Sequence, residues 1–421
     1  MKTKLEKSLA ALEKEAVKKL QQFVQIESTT GIEQKGQAFI AELMKEAGME
    51  MDIWCPTDDD LKGLKGYDGC GADNLGDRPN VVGIAKGSGQ GRSLILNGHV
   101  DTVPAGDLSK WIYGPYSGHI EDGELYGRGA CDMKAGLLAA VFAYKAVKDA
   151  GIKLKGDVQI QSVIGEELGG VGTLACVGRG YQADGAIIME PTSNVITTGE
   201  VGTMLFRIII DGKPAHGSAS YEGVNAIDKF CYVYKEIRNW ADEYNQNSDE
   251  KKDPRFKNYK VPCDLSFGIV NAGTWCAMLP EFLTAEGRYG FPIKESVASA
   301  RKLFEKELER ISQQDEWLAE HPVRVEWYNV AWEPYDLPAS HPLVTTLQEV
   351  CAEAGMSTEI GGNPYGTDIK YMNDMNTPAV IFGPGTIKKG HFVNESVPIK
   401  EYLQAINILA RMIVRWCGAV E

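Results

Sequence analysis

Apolar and polar positions along the chain alternate between two patterns, one strand-like and one helical. Short apolar runs at residues 81–85, 93–97, 158–164 and 186–189 have the length and β-branched content of buried strands. Between them, residues 135–149 and 172–179 read as apolar helices. Leu5, Leu9, Leu12, Ala16, Leu20 and Phe23 recur at helical spacing over residues 1–25, with Lys and Glu between them. Strands alternating with helices predict an α/β sheet with helices on its faces.

The pattern changes near Thr197. A strand at 204–211, a helix at 225–244, strands at 265–270 and 283–289, a helix at 294–313 and a strand at 323–330 follow in that order. This is the split βαβ order of a small α+β domain. The charged stretch 247–260 predicts an exposed loop. After Pro334 the first pattern resumes, with a helix at 343–354, a strand at 379–382 and a helix at 399–416. The expected organisation is one domain of residues 1–197 and 334–421, interrupted by an inserted domain of residues 198–333. A chain of 421 residues exceeds one ordinary core, which agrees with two domains.

Composition narrows the function. A formal charge of -14 excludes a nucleic-acid binder, which needs a basic face. No run approaches the roughly 18 apolar residues of a membrane span, so no membrane partner is expected. The first 25 residues lack the apolar core of a signal peptide. Nine cysteines, scattered and without a Cys-x-x-Cys pair, read as free thiols of a reducing compartment. The expected location is the cytoplasm. Gly87-Ser88-Gly89-Gln90-Gly91 looks like a phosphate loop, but a strand rather than a helix follows it, so a plain turn is expected.

Candidate chemistry lies where apolar runs end. His99-Val100-Asp101 closes the run beginning at Leu94, and side chains two apart in an extended chain share a side. Asp101 is thereby placed to hold the His99 ring while its other nitrogen faces a metal. Asp132 sits among glycines at the start of the helix at 135–149, where it could cap the helix, a role that does not exclude an oxygen on metal, and a bidentate carboxylate can bridge two ions. Glu166 and Glu167 follow one strand and Glu190 another, and adjacent like charges there call for a positive partner. His391 and Glu395 follow Gly383-Pro384-Gly385. Ligand sites of open α/β sheets lie at such strand ends. One His and one carboxylate per ion, with a shared Asp132, fits two divalent cations. The grouping is His99 with Glu190, and Glu167 with His391. Glu166 is left beside the ions, where a carboxylate can take a proton from water and return it to a leaving amine.

His99-Val100-Asp101, Gly127-Arg128-Gly129 through Asp132-Met133-Lys134, Glu166-Glu167, Met189-Glu190-Pro191-Thr192 and His391 together resemble the dinuclear zinc M20 peptidase/deacylase family. The resemblance implies a zinc-peptidase-like α/β catalytic domain with a mixed central sheet. It also implies an inserted ferredoxin-like α+β lid through which two copies dimerise. It implies two metal ions, zinc before cobalt or manganese, held by His99, Asp132, Glu167, Glu190 and His391. Glu166 would be the general base and Asp101 the partner of His99. His216, within Ala215-His216-Gly217-Ser218, matches a lid histidine that reaches the other subunit's oxyanion. Arg288, within Glu286-Gly287-Arg288, matches a lid arginine that grips a substrate carboxylate.

Other stretches resemble a deacylase subgroup that includes the formylaminopyrimidine deformylase of thiamine salvage. They are residues 165–192, 315–322 with 325–327, and Gly366-Thr367-Asp368, which makes Thr367 and Asp368 candidate substrate contacts. The chain departs from the family where Ala277 replaces a frequent asparagine, and where Lys134-Ala135-Gly136 replaces Lys-Gly-Gly. Cys131 abuts the Asp132 motif without an assigned role, and His119, His321 and His341 read as structural. The expected function is removal of a small acyl group (acetyl, formyl or succinyl) from the nitrogen of a small amine. A carboxypeptidase or dipeptidase of the same family is the first alternative, and an inactive metal-loaded binding protein the second.

Overall fold

The computed structural model describes residues 2–67, 69 and 72–420. The chain divides into two compact units, Met1–Thr198 with Leu337–Gly361 and Thr367–Glu421, and Gly199–Asp336 with Gly362–Gly366. The short segment 362–366 belongs to the second unit, a return the sequence pattern does not announce.

The first unit is built on a mixed sheet. Its strands run in the order Glu50–Trp54, Asn80–Ala85, Val158–Val163, Leu94–His99, Ala186–Ile188, Ala379–Ile381 and the strand that begins at Ile196. Leu94–His99 lies parallel to both Val158–Val163 and Ala186–Ile188, so all three end on one edge. Every residue of Leu94–His99 is buried, which is why it reads as a continuous apolar run instead of alternating.

Ala135–Asp149 is buried almost all round and packs against Ile399–Cys417 and Lys2–Val24. Each of its larger side chains, such as Leu137, Leu138 and Phe142, stabilises the fold by about 1.5–3 kcal/mol through burial. Gly136 permits the approach of this helix to the sheet, since a Cβ there would stand 2.0 Å from the Met189 carbonyl.

The second unit carries a four-stranded antiparallel sheet in the order Leu265–Ala272, Phe282–Phe291, Gly202–Asp211 and Arg324–Trp332. Gly202–Asp211 alternates buried and half-buried positions over its second half, turning Phe206, Ile208 and Ile210 into a core shared with Ala226–Asn247 and Val297–Ser312. An α/β mixed-sheet unit and a separate antiparallel-sheet unit are therefore both present, as the hydropathy pattern implied. One expectation needs correction. Residues 247–260 are not simply an exposed loop: Ser248 caps Asp249–Lys252, Asp253 caps Pro254–Phe256, and Phe256 is buried against Val201 and Cys263.

Among the described residues no helix is long and apolar enough to cross a membrane. The eight described cysteines are free thiols. The 87–91 glycine turn is tied by backbone bonds to Leu154 and Lys155, as a plain turn would be.

Candidate metal centre

Three parallel strands deliver the first donors. His99 ends its strand, Glu166 and Glu167 follow Val158–Val163 across a left-handed Gly165, and Glu190 follows Ala186–Ile188. Asp132 comes from the turn Ala130–Lys134, and His391 from a loop where its own φ is +61°. Asp132 does not cap the helix that follows, because its two oxygens face two imidazoles. Oδ1 lies 3.3 Å from His99 Nε2 and Oδ2 lies 3.3 Å from His391 Nε2. His391 Nε2 is also 2.9 Å from Glu167 Oε2, and His99 Nε2 stands 3.8 Å from Glu190 and 3.9 Å from Glu166. His99, Asp132 and Glu167 form one set of donor atoms within 4.8 Å of one another, and His99, Glu166 and Glu190 form another.

Charge in this cluster is unbalanced toward the negative. Burial pushes the Glu166 and Glu190 carboxyls well above the usual carboxylate range, with His99 pulling the other way. Glu167 is raised by burial, against the His391 contact. Burial lowers the His99 pKa, but the Asp132 contact and the Asp101, Glu190 and Glu166 charges outweigh it and hold it well up. His391 is raised to about 10 by Asp132 and Glu167. Glu167 Oε1 is buried with no hydrogen-bond partner among the described residues. Four buried carboxylates around two imidazoles, one oxygen unpartnered, fit divalent cations, whose charge removes the penalty.

The placement of Asp101 differs from the expectation. The Nδ1 atom of His99 is bonded to the Asp101 backbone carbonyl at 2.9 Å, while the carboxylate lies 3.6 Å away. That carboxylate instead accepts the backbone N–H groups of Glu166 (3.2 Å) and Glu167 (3.3 Å) and the hydroxyl of Thr30 (2.8 Å). Asp101 thus orients the glutamate pair with its side chain and His99 with its backbone. A backbone carbonyl serves a metal-facing histidine as well as a carboxylate does.

Thr367 and Asp368 are buried in the first unit rather than presented openly. The Thr367 hydroxyl accepts the Ile369 N–H. Asp368 accepts from Thr173 at 2.6 Å, and Thr173 in turn accepts from Asn97. Burial lifts the Asp368 carboxyl to about 6.

His216 and Arg288 belong to the second unit. His216 is exposed, its Nδ1 accepting the Ser218 N–H, and Ala277 adjoins it by accepting the Gly217 N–H. Arg288 donates to the Thr203 hydroxyl and the Pro364 carbonyl. Cys131 is buried and its thiol points to the Thr386 carbonyl. His119 stacks on Tyr113, His321 stacks on Trp317, and His341 caps Pro342–Glu353.

One supporting residue, Thr30 on Asp101, has no mark in the sequence. Glu395 is marked there beside His391 but without a role, and it stands behind Asp132.

Imidazoles and carboxylates gathered at one edge of a mixed α/β sheet are the working parts of a metal-dependent hydrolase. The chain belongs to peptidase family M20/M25/M40, whose sequence profile matches residues 95–415. It is 29% identical over 410 residues to an N-formyl-4-amino-5-aminomethyl-2-methylpyrimidine deformylase of Bacillus subtilis (strain 168), covering 91% of this chain and 89% of that protein. It is 26% identical over 356 residues to a probable succinyl-diaminopimelate desuccinylase of Staphylococcus aureus (strain MRSA252), covering 77% and 83%. Among solved structures, the di-peptidase Dug1p from Saccharomyces cerevisiae shares the fold, with a TM-score of 0.76 at 15% identity over 100% of this chain and 99% of that one.

Proposed function

We propose that this chain is a dinuclear metal-dependent amide hydrolase that removes a small acyl group, formyl, acetyl or succinyl, from the nitrogen of a small amine. The observation that carries the reading is Asp132, one oxygen toward His99 and the other toward His391, with Glu166 standing spare beside His99. The similarity to a deformylase and a probable desuccinylase over most of the chain supports the acyl-group class. His99, Glu190 and Asp132 would hold one ion, and His391, Glu167 and Asp132 the other. Zinc is the proposed ion, although cobalt and manganese suit the same donors. Bound ions would supply Lewis acidity and make nearby water more acidic. Glu166 then accepts the proton of the attacking water and returns it to the leaving nitrogen. Asp101 keeps Glu166 aimed by holding its N–H.

In this reading the first unit is the catalytic domain, and the second is a lid and dimerisation domain. Arg288 would anchor a substrate carboxylate, and Thr367 and Asp368 would be further substrate contacts. His216 of a second copy would donate to the developing oxyanion. The edge strand Leu265–Ala272 supports a homodimer, since it exposes Ile269 and Val270 beside a backbone edge that pairs with no further strand among the described residues. Val270→Lys is therefore expected to convert a protein of twice the chain mass into one of a single chain mass. Sedimentation equilibrium checks this, and an unchanged mass would remove the edge from the reading. The free thiols agree with a cytoplasmic enzyme.

The deciding experiment is hydrolysis of N-formyl, N-acetyl and N-succinyl amines beside unblocked dipeptides, with metal-stripped and zinc-reconstituted protein. Zinc-dependent release from one acyl class is the expected result. Cleavage of dipeptides alone would move the protein to the peptidase side of the family, and silence toward every compound would overturn the substrate reading.

A further inference from the structure

Two charged side chains in the first unit are almost wholly buried and touch the metal-facing loops without offering a donor to the centre. Arg128 is 2% exposed and Glu395 is 1% exposed. Glu395 Oε2 accepts from Arg128 Nη1 at 2.7 Å. Its other oxygen accepts the backbone N–H groups of Cys131 (2.9 Å) and Asp132 (3.1 Å). Arg128 also directs its two terminal nitrogens at backbone carbonyls, Nη1 to Phe392 at 3.3 Å and Nη2 to His391 at 3.4 Å and Pro104 at 3.3 Å. One ion pair thus ties the backbone beside Asp132 to the backbone of His391.

The two sides of the centre depend on this tie unequally. His99 and Glu190 stand at the ends of parallel strands and inherit their positions from the sheet. His391 has no such support, since it lies in a loop with a left-handed backbone and its side chain is half exposed. A non-glycine residue keeps that conformation only where its surroundings enforce it. Asn394, also left-handed, anchors the same loop by accepting the Ile112 N–H at 2.7 Å.

We propose that Arg128 and Glu395 are positioning residues that hold the Asp132 and His391 segments in register. They thereby set the affinity of the cation site on the His391 side while leaving the His99 side largely to the sheet. The inference rests on the two-cation reading above. It predicts an asymmetry that a merely structural ion pair would not produce, because general destabilisation weakens both sites together.

The test is titration of metal-stripped protein with cobalt(II), followed by visible absorption and by calorimetry. The proteins are wild type, Arg128→Lys, Glu395→Gln and His391→Ala. Arg128→Lys keeps the charge but loses the planar fork, and Glu395→Gln keeps shape and an acceptor oxygen but loses the charge. His391→Ala identifies the absorption band of the His391 side. Wild type is expected to bind two equivalents. The Arg128 variant should bind one with near wild-type affinity and the other about 10–100-fold more weakly, with loss of the His391-side band. The Glu395 variant, which also releases the N–H of the shared Asp132, should weaken the His391 side by at least as much and the His99 side by less. Two wild-type affinities in both variants would overturn the inference while leaving the two-cation reading intact. Equal weakening of both sites with a lowered melting temperature would show a structural pair only. A wild-type protein that binds no cobalt would overturn the metal reading and this inference together.

Discussion

Glu166→Gln is expected to lower kcat by about 100- to 10,000-fold, the span that a positioned acid–base group contributes. The argument starts from chain geometry. Gly165 adopts a left-handed conformation with φ +66°, which turns the chain at the end of Val158–Val163. Asp101 then receives the N–H groups of both glutamates, so the pair is held from behind by one carboxylate. Glu167 is taken up by His391 at 2.9 Å, whereas Glu166 keeps only a distant contact with His99 at 3.9 Å. Of the two, Glu166 is therefore the one proposed to exchange a proton.

Burial raises the Glu166 carboxyl in the metal-free cluster, with His99 opposing and Asp368 and Glu167 adding to the rise. Glutamine preserves volume and hydrogen bonding but accepts no proton. Metal content by mass spectrometry should equal that of wild type, and kcat on the best acylated substrate should collapse. Near-normal kcat in Glu166→Gln would sink the assignment, and loss of metal would make Glu166 a ligand instead.

The sequence disclosed the centre more fully than its supports, for a physical reason. The candidate metal donors and the candidate base sit where apolar strands end, so His99, Glu166 and Glu190 are marked by an abrupt change in hydropathy. Glu395 carries no such mark, because its role depends on an arginine 267 residues away in the chain. The helix Gln34–Glu46 went unassigned, with Gly36 in its first turn and no side-chain cap. The strand Glu50–Trp54 was equally hard to see, as an edge strand without a fully buried position. Phe256 was hidden in a charged stretch whose caps only tertiary contact reveals. Asp101 illustrates a finer limit. Spacing in an extended chain places its carboxylate on the side of His99, where it lies 3.6 Å from Nδ1, but the chain leaves the strand at His99 and the backbone carbonyl makes the closer bond.

Arg78→Met is expected to destabilise the first unit by about 3–5 kcal/mol, the usual consequence of leaving one half of a buried ion pair behind. Arg78 and Glu33 are 1% and 0% exposed, and the guanidinium meets the carboxylate through Nε at 2.9 Å and Nη2 at 2.6 Å. Burial already raises the Glu33 carboxyl, and only Arg78 and a backbone contact with Gly31 oppose it. Removing the guanidinium raises that carboxyl further.

The sign of the pH effect follows. A carboxyl whose folded pKa lies above its unfolded value favours the folded state below the unfolded pKa, and that advantage disappears as pH rises through the folded pKa. The variant's deficit should therefore be greatest near neutrality and shrink as acid protonates Glu33. Urea midpoints for wild type and Arg78→Met at neutral and mildly acidic pH measure the change. The double variant Arg78→Met with Glu33→Gln should recover much of the loss at neutral pH, because an uncharged pair leaves no bare carboxylate in the interior. If the single variant is as stable as wild type at neutral pH, the ion pair is not what holds Glu33 in place. If the double variant is no better than the single one, the cost lies in packing around Arg78 and not in the stranded charge.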